Sequence, residues 1–158
     1  MELGLRDRVC IVTGSTAGIG RETARLLAEE GARVVISGRD QARVDAAVGE
    51  IGAALGVAVD LGAPDGPRTL VEAATSEVGA VDCLVNNVGV AYQRSFDELT
   101  DEDWQSMWEL NVMSYVRAIN AVLPGNVMTE GLEGLGQDYM DSMAASIPLK
   151  RLGTVEDI

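Results

Sequence analysis

Four short runs of unbroken apolar residues punctuate this chain: "RVCIVTG" (8 to 14), "RVVISG" (33 to 38), "GVAVDL" (56 to 61) and "VDCLVNN" (81 to 87). A strand with one wet face alternates apolar and polar residues, so continuous runs predict strands covered on both faces, as in a parallel sheet. The segments between them have helical period. After Gly18, residues Ile19, Thr23 and Leu27 share one face, and Gly31 stands at a left-handed C-terminal cap. Asp40 is placed to N-cap a second helix with Val44, Val48 and Ile51 inward. Pro67 suits the first turn of a third, which carries Leu70, Val71, Ala74 and Val78 and stops at Gly79. Thr100 with Asp103 forms a capping box that opens a longer helix, whose Trp104, Trp108, Val112, Tyr115 and Ile119 make a stripe. The order βαβαβαβα predicts an α/β fold with a doubly wound parallel sheet and right-handed crossovers, and ligands in such folds sit beyond the carboxyl ends of the strands.

Length and charge narrow the class further. A chain of 158 residues suits one domain, 1–158. Twenty-five acidic residues against twelve basic ones give a net charge of −13, scattered along the chain. That field repels phosphate backbones and anionic lipid, which argues against nucleic acid and membrane partners. No apolar run approaches the roughly 20 residues of a spanning helix, and "MELGLRDRVC" lacks signal-peptide patterning, so the expected location is cytoplasmic. Cys10 and Cys83 sit in strand-like runs without metal-ligand spacing and are expected to be reduced core thiols. There is no His, so no metal site is expected, and acid-base work falls to Tyr, Lys or carboxylates.

The first strand runs into "VTGSTAGIG", which places Gly14, Gly18 and Gly20 before the first helix. Glycines allow the tight turn and let backbone approach a pyrophosphate, which then meets the free N–H groups and positive end of the helix. A Gly-rich turn with packing duties only is the plainer alternative. The strand before and the helix after favour dinucleotide binding, with Gly14, Ser15, Thr16, Gly18, Ile19 and Gly20 in the loop.

The TGxxxGIG spacing resembles that of the short-chain dehydrogenase/reductase family, and later residues agree in the family's order. "NNVG", Asn86 to Gly89, is similar to the family's NNAG with Val88 in place of Ala. Asp60 matches its acidic residue at the adenine pocket, Asn111 its helical Asn, and "PGNVMTE" its PGxVxT loop beside the nicotinamide. "PLKRLGTVED" resembles the stretch after its substrate loop. The resemblance implies a Rossmann-like sheet with strand order 3-2-1-4 for the strands present. It also implies hydride transfer between NAD(P)(H) and a small-molecule alcohol or carbonyl, and a homo-oligomer. Cofactor contacts are then expected from Gly14, Ser15, Thr16, Gly18, Ile19, Gly20, Arg39, Asp60, Leu61, Asn87, Val88, Gly89, Pro124, Gly125, Val127 and Thr129, and support of a proton-relay water from Asn111.

Cofactor choice is read at the end of the second strand, where an acidic residue would accept from the ribose 2′-OH and repel a 2′-phosphate. This chain has "SGRD" there, with Gly38 at the acidic position and Arg39 after it, which favours NADP(H) over NAD(H). The glycine loop itself offers no second basic residue.

The family's proton chemistry rests on a Tyr with a Lys four residues later, and on a Ser from the preceding strand. Lys150 is the only lysine, and the residue four before it is Ser146. No Tyr-x-x-x-Lys exists in the 158 residues. In the family a strand, the Tyr-Lys helix and a second strand separate "ALP" from "PGxVxT", whereas here Pro124 serves both phrases. A unit of at least about 30 residues is therefore expected to be absent at a junction between Pro124 and Gly125. The family's final helix and strand are likewise not seen after Thr154 and Asp157. Two readings follow: a deletion product that binds nucleotide without turnover or associates through its fourth helix, or pieces of an intact enzyme joined in sequence.

Overall fold

A computed structural model describes residues 3–123 and 137–146 of the chain. Four parallel strands, β1 (Val9–Val12), β2 (Arg33–Gly38), β3 (Leu55–Ala58) and β4 (Cys83–Val85), form one sheet in the order β3-β2-β1-β4. Helices α1 (Gly18–Glu29), α2 (Gln41–Ile51) and α3 (Gly66–Glu77) alternate with them. The expected architecture and strand order are both present.

The unbroken apolar runs have the expected cause. Successive strand residues point to opposite faces, and each face of β1 and β2 meets a different helix layer. Val9, Ile11 and Val35 pack with Leu70, Val71, Ala74 and Val78 of α3. Val12, Val34 and Ile36 pack with Ala24 of α1 and with Ala47 and Ile51 of α2. At about 25 cal/mol per Å² of apolar surface removed from water, these two clusters hold the sheet together. In β3, a Cβ on Gly56 would come within 2.5 Å of Val48 Cγ2, so the bare backbone there lets α2 lie close.

Helix ends follow their sequence signals. The Asp40 carboxylate accepts from the Arg43 N–H at 2.9 Å, and Gly31 adopts φ +88° as its N–H donates to the Ala28 carbonyl at 3.0 Å. Thr100 and Asp103 exchange the two bonds of a capping box. On α1 the buried positions are Gly20 and Ala24, while Ile19 is 82 % exposed. The helix lies so close to the loop after β4 that only glycine fits at position 20, and that approach sets its rotation. Ile19 therefore leaves the face it was expected to share with Leu27.

Three strands, β1, β3 and β4, are shorter than their apolar runs. β3 stops at Ala58 because Asp60 turns the chain, its Oδ1 accepting from the Gly62 N–H at 3.0 Å. β4 starts at Cys83 because the Asp82 carboxylate is taken up by the Val9 N–H at 2.8 Å and by Arg8. Cys10 and Cys83 are register partners in neighbouring strands, both free thiols, with Cys10 fully buried and Cys83 half-buried.

The long fourth helix is not continuous. It runs as α4 (Asp101–Trp108), a π-helical turn (Glu109–Met113) and α5 (Ser114–Val122). A further helix, α6 (Gln137–Ser146), lies just before the stretch "PLKRLGTVED" in the chain. Pro124, Gly125, Val127 and Thr129, the 124–125 junction, and Lys150 with Thr154 and Asp157 lie outside the described residues. Among the described residues no helix is long and apolar enough to cross a membrane.

Candidate dinucleotide site

The loops that leave the carboxyl ends of the four strands converge on one cavity of about 620 Å³. Its wall includes Gly14 and Thr16 from the first loop, Arg39 from the second, Asp60 and Leu61 from the third, and Val88 and Gly89 from the fourth. Seven of the expected cofactor residues are thus brought together from separate parts of the chain.

Thr13, which the sequence reading did not single out, fastens the first loop to the fourth. Its buried hydroxyl accepts from the N–H groups of Asn87 at 2.8 Å and Val88 at 3.0 Å, and donates to the Val85 carbonyl at 3.3 Å. Asn87 answers through Nδ2, which donates to the carbonyls of Thr13 at 2.9 Å and Gly14 at 3.1 Å. A threonine ending an apolar strand carries no local mark of this role. Ser15 is likewise buried beneath the loop: its hydroxyl donates to the Val12 carbonyl at 2.5 Å and accepts from the Ser37 N–H at 3.0 Å. Ser15, Gly18, Ile19, Gly20, Asn87 and Asn111 are not part of the cavity wall among the described residues.

Two glycines carry the geometry. Gly14 adopts φ +62°, and a Cβ there would stand 3.0 Å from the Val88 Cα. A Cβ on Gly20 would meet Asn87 Nδ2 at 2.3 Å and the Gly14 carbonyl at 2.8 Å. The backbone therefore packs against backbone, and α1 begins without a side-chain cap at Ala17. Its first amides, at Gly18, Ile19 and Gly20, have no partner among the described residues. Such an end is a ready anion site, because orphan N–H groups and the helix dipole point the same way.

Asn111 sits in the π-helical turn and grips Val90 twice. Its Nδ2 donates to the Val90 carbonyl at 2.8 Å and its Oδ1 accepts from the Val90 N–H at 2.8 Å. One turn on, the Tyr115 hydroxyl donates to the Val88 carbonyl at 2.6 Å. Both side chains hold the fourth loop against the helix. The extra residue of a π turn, a feature frequent at functional sites, accompanies this grip.

Residues 8–135 match the family model described as short chain dehydrogenase. The oxidoreductase YvrD of Bacillus subtilis is 39% identical over 127 residues, covering 78% of this chain and 48% of that protein. The 3-ketoacyl-(acyl-carrier-protein) reductase of Brucella melitensis, solved in complex with NADH, superposes with a TM-score of 0.72 at 34% identity, over 76% of this chain and 50% of that one. A blue fluorescent protein from a metagenomic library, in complex with NADPH, gives a TM-score of 0.70 at 29% identity, over 84% of this chain and 60% of that one. The chain spans about half the length of the curated relatives it matches. With the parallel sheet, the glycine turn and the converging strand ends in place, the chain belongs to the short-chain dehydrogenase family.

Proposed function

We propose that the chain forms the adenosine and pyrophosphate half of a nicotinamide dinucleotide site, with NADP(H) favoured over NAD(H). In this reading it serves an oxidoreductase that exchanges hydride with an alcohol or carbonyl carbon. The observation that carries the reading is the cavity at the strand ends, walled by Gly14, Thr16, Arg39 and Asp60, where the first loop leads into the uncapped start of α1. The NADH and NADPH in the two solved relatives support it.

The residues present fit such a cofactor. Orphan amides of Gly18, Ile19 and Gly20 suit the pyrophosphate, Asp60 and Leu61 the adenine, Arg39 the adenosine ribose, and Val88 with Gly89 the far ribose. Pro124, Gly125, Val127 and Thr129 are assigned to the nicotinamide side by family resemblance. The nicotinamide ring supplies the hydride when bound. Asn111 acts by positioning the loop that carries Val88 and Gly89. The protein is further read as a cytoplasmic homo-oligomer, away from nucleic acid and membranes, on the strength of its acidic balance and its family.

A second reading, nucleotide binding without turnover, is favoured by the absence of any Tyr-x-x-x-Lys in the 158 residues. Titration with NADPH and NADH separates the possibilities when paired with an assay of hydride transfer to a panel of carbonyls. Saturable binding, weakened by Gly14→Ala, supports the dinucleotide site. No binding of either cofactor sinks it. Turnover by a protein of 16.7 kDa intact mass eliminates the second reading.

A further inference from the structure

The cavity wall contains a second arginine that the glycine loop does not supply. Arg43, in the first turn of α2, lines the same cavity as Arg39, Ser37 and Gly38. We propose that Arg43 is a cofactor-specificity residue, the second guanidinium of a clamp with Arg39 for a phosphate on the adenosine 2′-oxygen. The proposal rests on the dinucleotide reading above and deepens it.

Four observations converge on this corner. First, Arg39 and Arg43 have no carboxylate partner among the described residues. Arg8, Arg21, Arg25, Arg68, Arg94 and Arg117 all do; Arg6 and Arg33 also lack one but do not line the cavity. In a chain with 25 acidic and 12 basic residues, carboxylates are in excess, so two free guanidiniums on one cavity mark a place kept open for an anion.

Second, Arg43 stands at the wrong end of its helix for a structural cation. The first turn has the positive end of the dipole, where a cation costs stability and an anion gains it. Third, the acidic residue between the two arginines, which also lines the cavity, forms no ion pair with either guanidinium among the described residues and has a structural task. The Asp40 carboxylate is engaged by the Arg43 backbone N–H at 2.9 Å, as the helix cap.

Fourth, the position that would carry the competing carboxylate is closed. A Cβ on Gly38 would lie 2.5 Å from Thr16 Cγ2 and 3.2 Å from both Thr16 Oγ1 and Val44 Cγ2. Thr16 thus fills the space that an Asp or Glu at position 38 needs to reach a ribose 2′-OH. With no carboxylate at position 38 and two donors for a phosphate, the corner discriminates by both attraction and omission. Arginine's planar fork suits a phosphate better than a point charge does.

The test measures equilibrium binding of NADPH, NADH, 2′,5′-ADP and 5′-AMP to the full chain and to Arg43→Ala, Arg39→Ala and Arg43→Lys, each checked for native far-UV signal. Arg43 is exposed on a helix, so its alanine variant is expected to fold. Arg43→Ala should weaken NADPH and 2′,5′-ADP by about 10-fold or more, the loss of a hydrogen bond to a charged group, and leave NADH and 5′-AMP within about twofold. Arg43→Lys should recover part of the loss. Equal weakening of all four ligands, or no change in any, overturns the assignment. If the unaltered chain binds NADH and NADPH alike and Arg43→Ala does not separate them, the clamp is wrong and the dinucleotide site stands. If it binds none of the four, both readings fall.

Discussion

Asn111 and Val90 are joined by two hydrogen bonds of 2.8 Å, a carboxamide laid against the backbone N–H and C=O of one residue so that each donor meets an acceptor. The contact fixes the helix turn to the loop that walls the cavity. Asn111→Asp keeps the acceptor for the Val90 N–H and sets a second oxygen against the Val90 carbonyl. At neutral pH this substitution is expected to cost about 1–3 kcal/mol in urea unfolding. The folded state then favours the protonated acid, so the variant's carboxyl pKa is raised on folding. Stability is therefore regained below the unfolded value and lost as pH climbs through the folded one. An Asn111→Asp protein whose stability relative to the parent is flat with pH would show that the carboxamide pair is not made.

Thr13 offers a second test, because its hydroxyl accepts two amides at once. Thr13→Val keeps the shape and leaves the N–H groups of Asn87 and Val88 without an acceptor in a part-buried site. A loss of about 1–3 kcal/mol is expected, with weaker dinucleotide binding, while Thr13→Ser stays near the parent. Equal stability of the Val and Ser variants would remove Thr13 from its role as fastener.

The sheet is legible in the sequence where physics is local. β2 covers the whole of its apolar run, 33 to 38, since a strand covered on both faces leaves no polar alternation to confuse its ends. The caps at Asp40 and Thr100 are equally local, one side chain reaching an amide three residues on. Arg43 is not legible. On its helix it reads as one more exposed cation, and only the packing of α2 beside the second loop brings it to the cavity. The π turn at Glu109–Met113 is also invisible, because the bond that accompanies it reaches back to Val90, 21 residues earlier. Val59 and Leu61 continue an apolar run past the end of β3, so composition there overstates the strand.

Gly20→Ala probes the close approach of α1. The added methyl carbon would stand 2.3 Å from Asn87 Nδ2, which can swing, and 2.8 Å from the Gly14 carbonyl, which is backbone and cannot give cheaply. The loop must shift, so overpacking of about 1–3 kcal/mol is expected together with a loss of NADPH affinity. Gly18→Ala is the control, since no atom lies within 4 Å of a Cβ there and only its φ of +59° resists substitution. An alanine at position 20 that binds NADPH as the parent does would mean that α1 and the fourth loop are not in contact.

Cys10 supplies a prediction in pH. Burial, aided by the neighbouring Cys83 thiol, pushes its thiol from the ordinary 9.0 up to about 11. The raised group favours the folded state fully below pH 9, and its contribution is lost as pH rises from 9 through about 11. At 1.36 kcal/mol per unit, the loss amounts to about 2–3 kcal/mol. Other groups titrate in this range, so the measurement is the difference between the parent and Cys10→Ala in urea midpoint at pH 8 and pH 11. The parent should fall more steeply, because its thiol must ionise on unfolding while alanine has nothing to ionise. Alkylation at pH 8 gives a second readout. A reagent added to the folded protein should modify Cys83, which is half-buried, and reach Cys10 only after denaturation. Parallel pH profiles for the two proteins, or labelling of Cys10 in the native state, would show that the thiol is not held in the dry interior between β1's neighbours and α1.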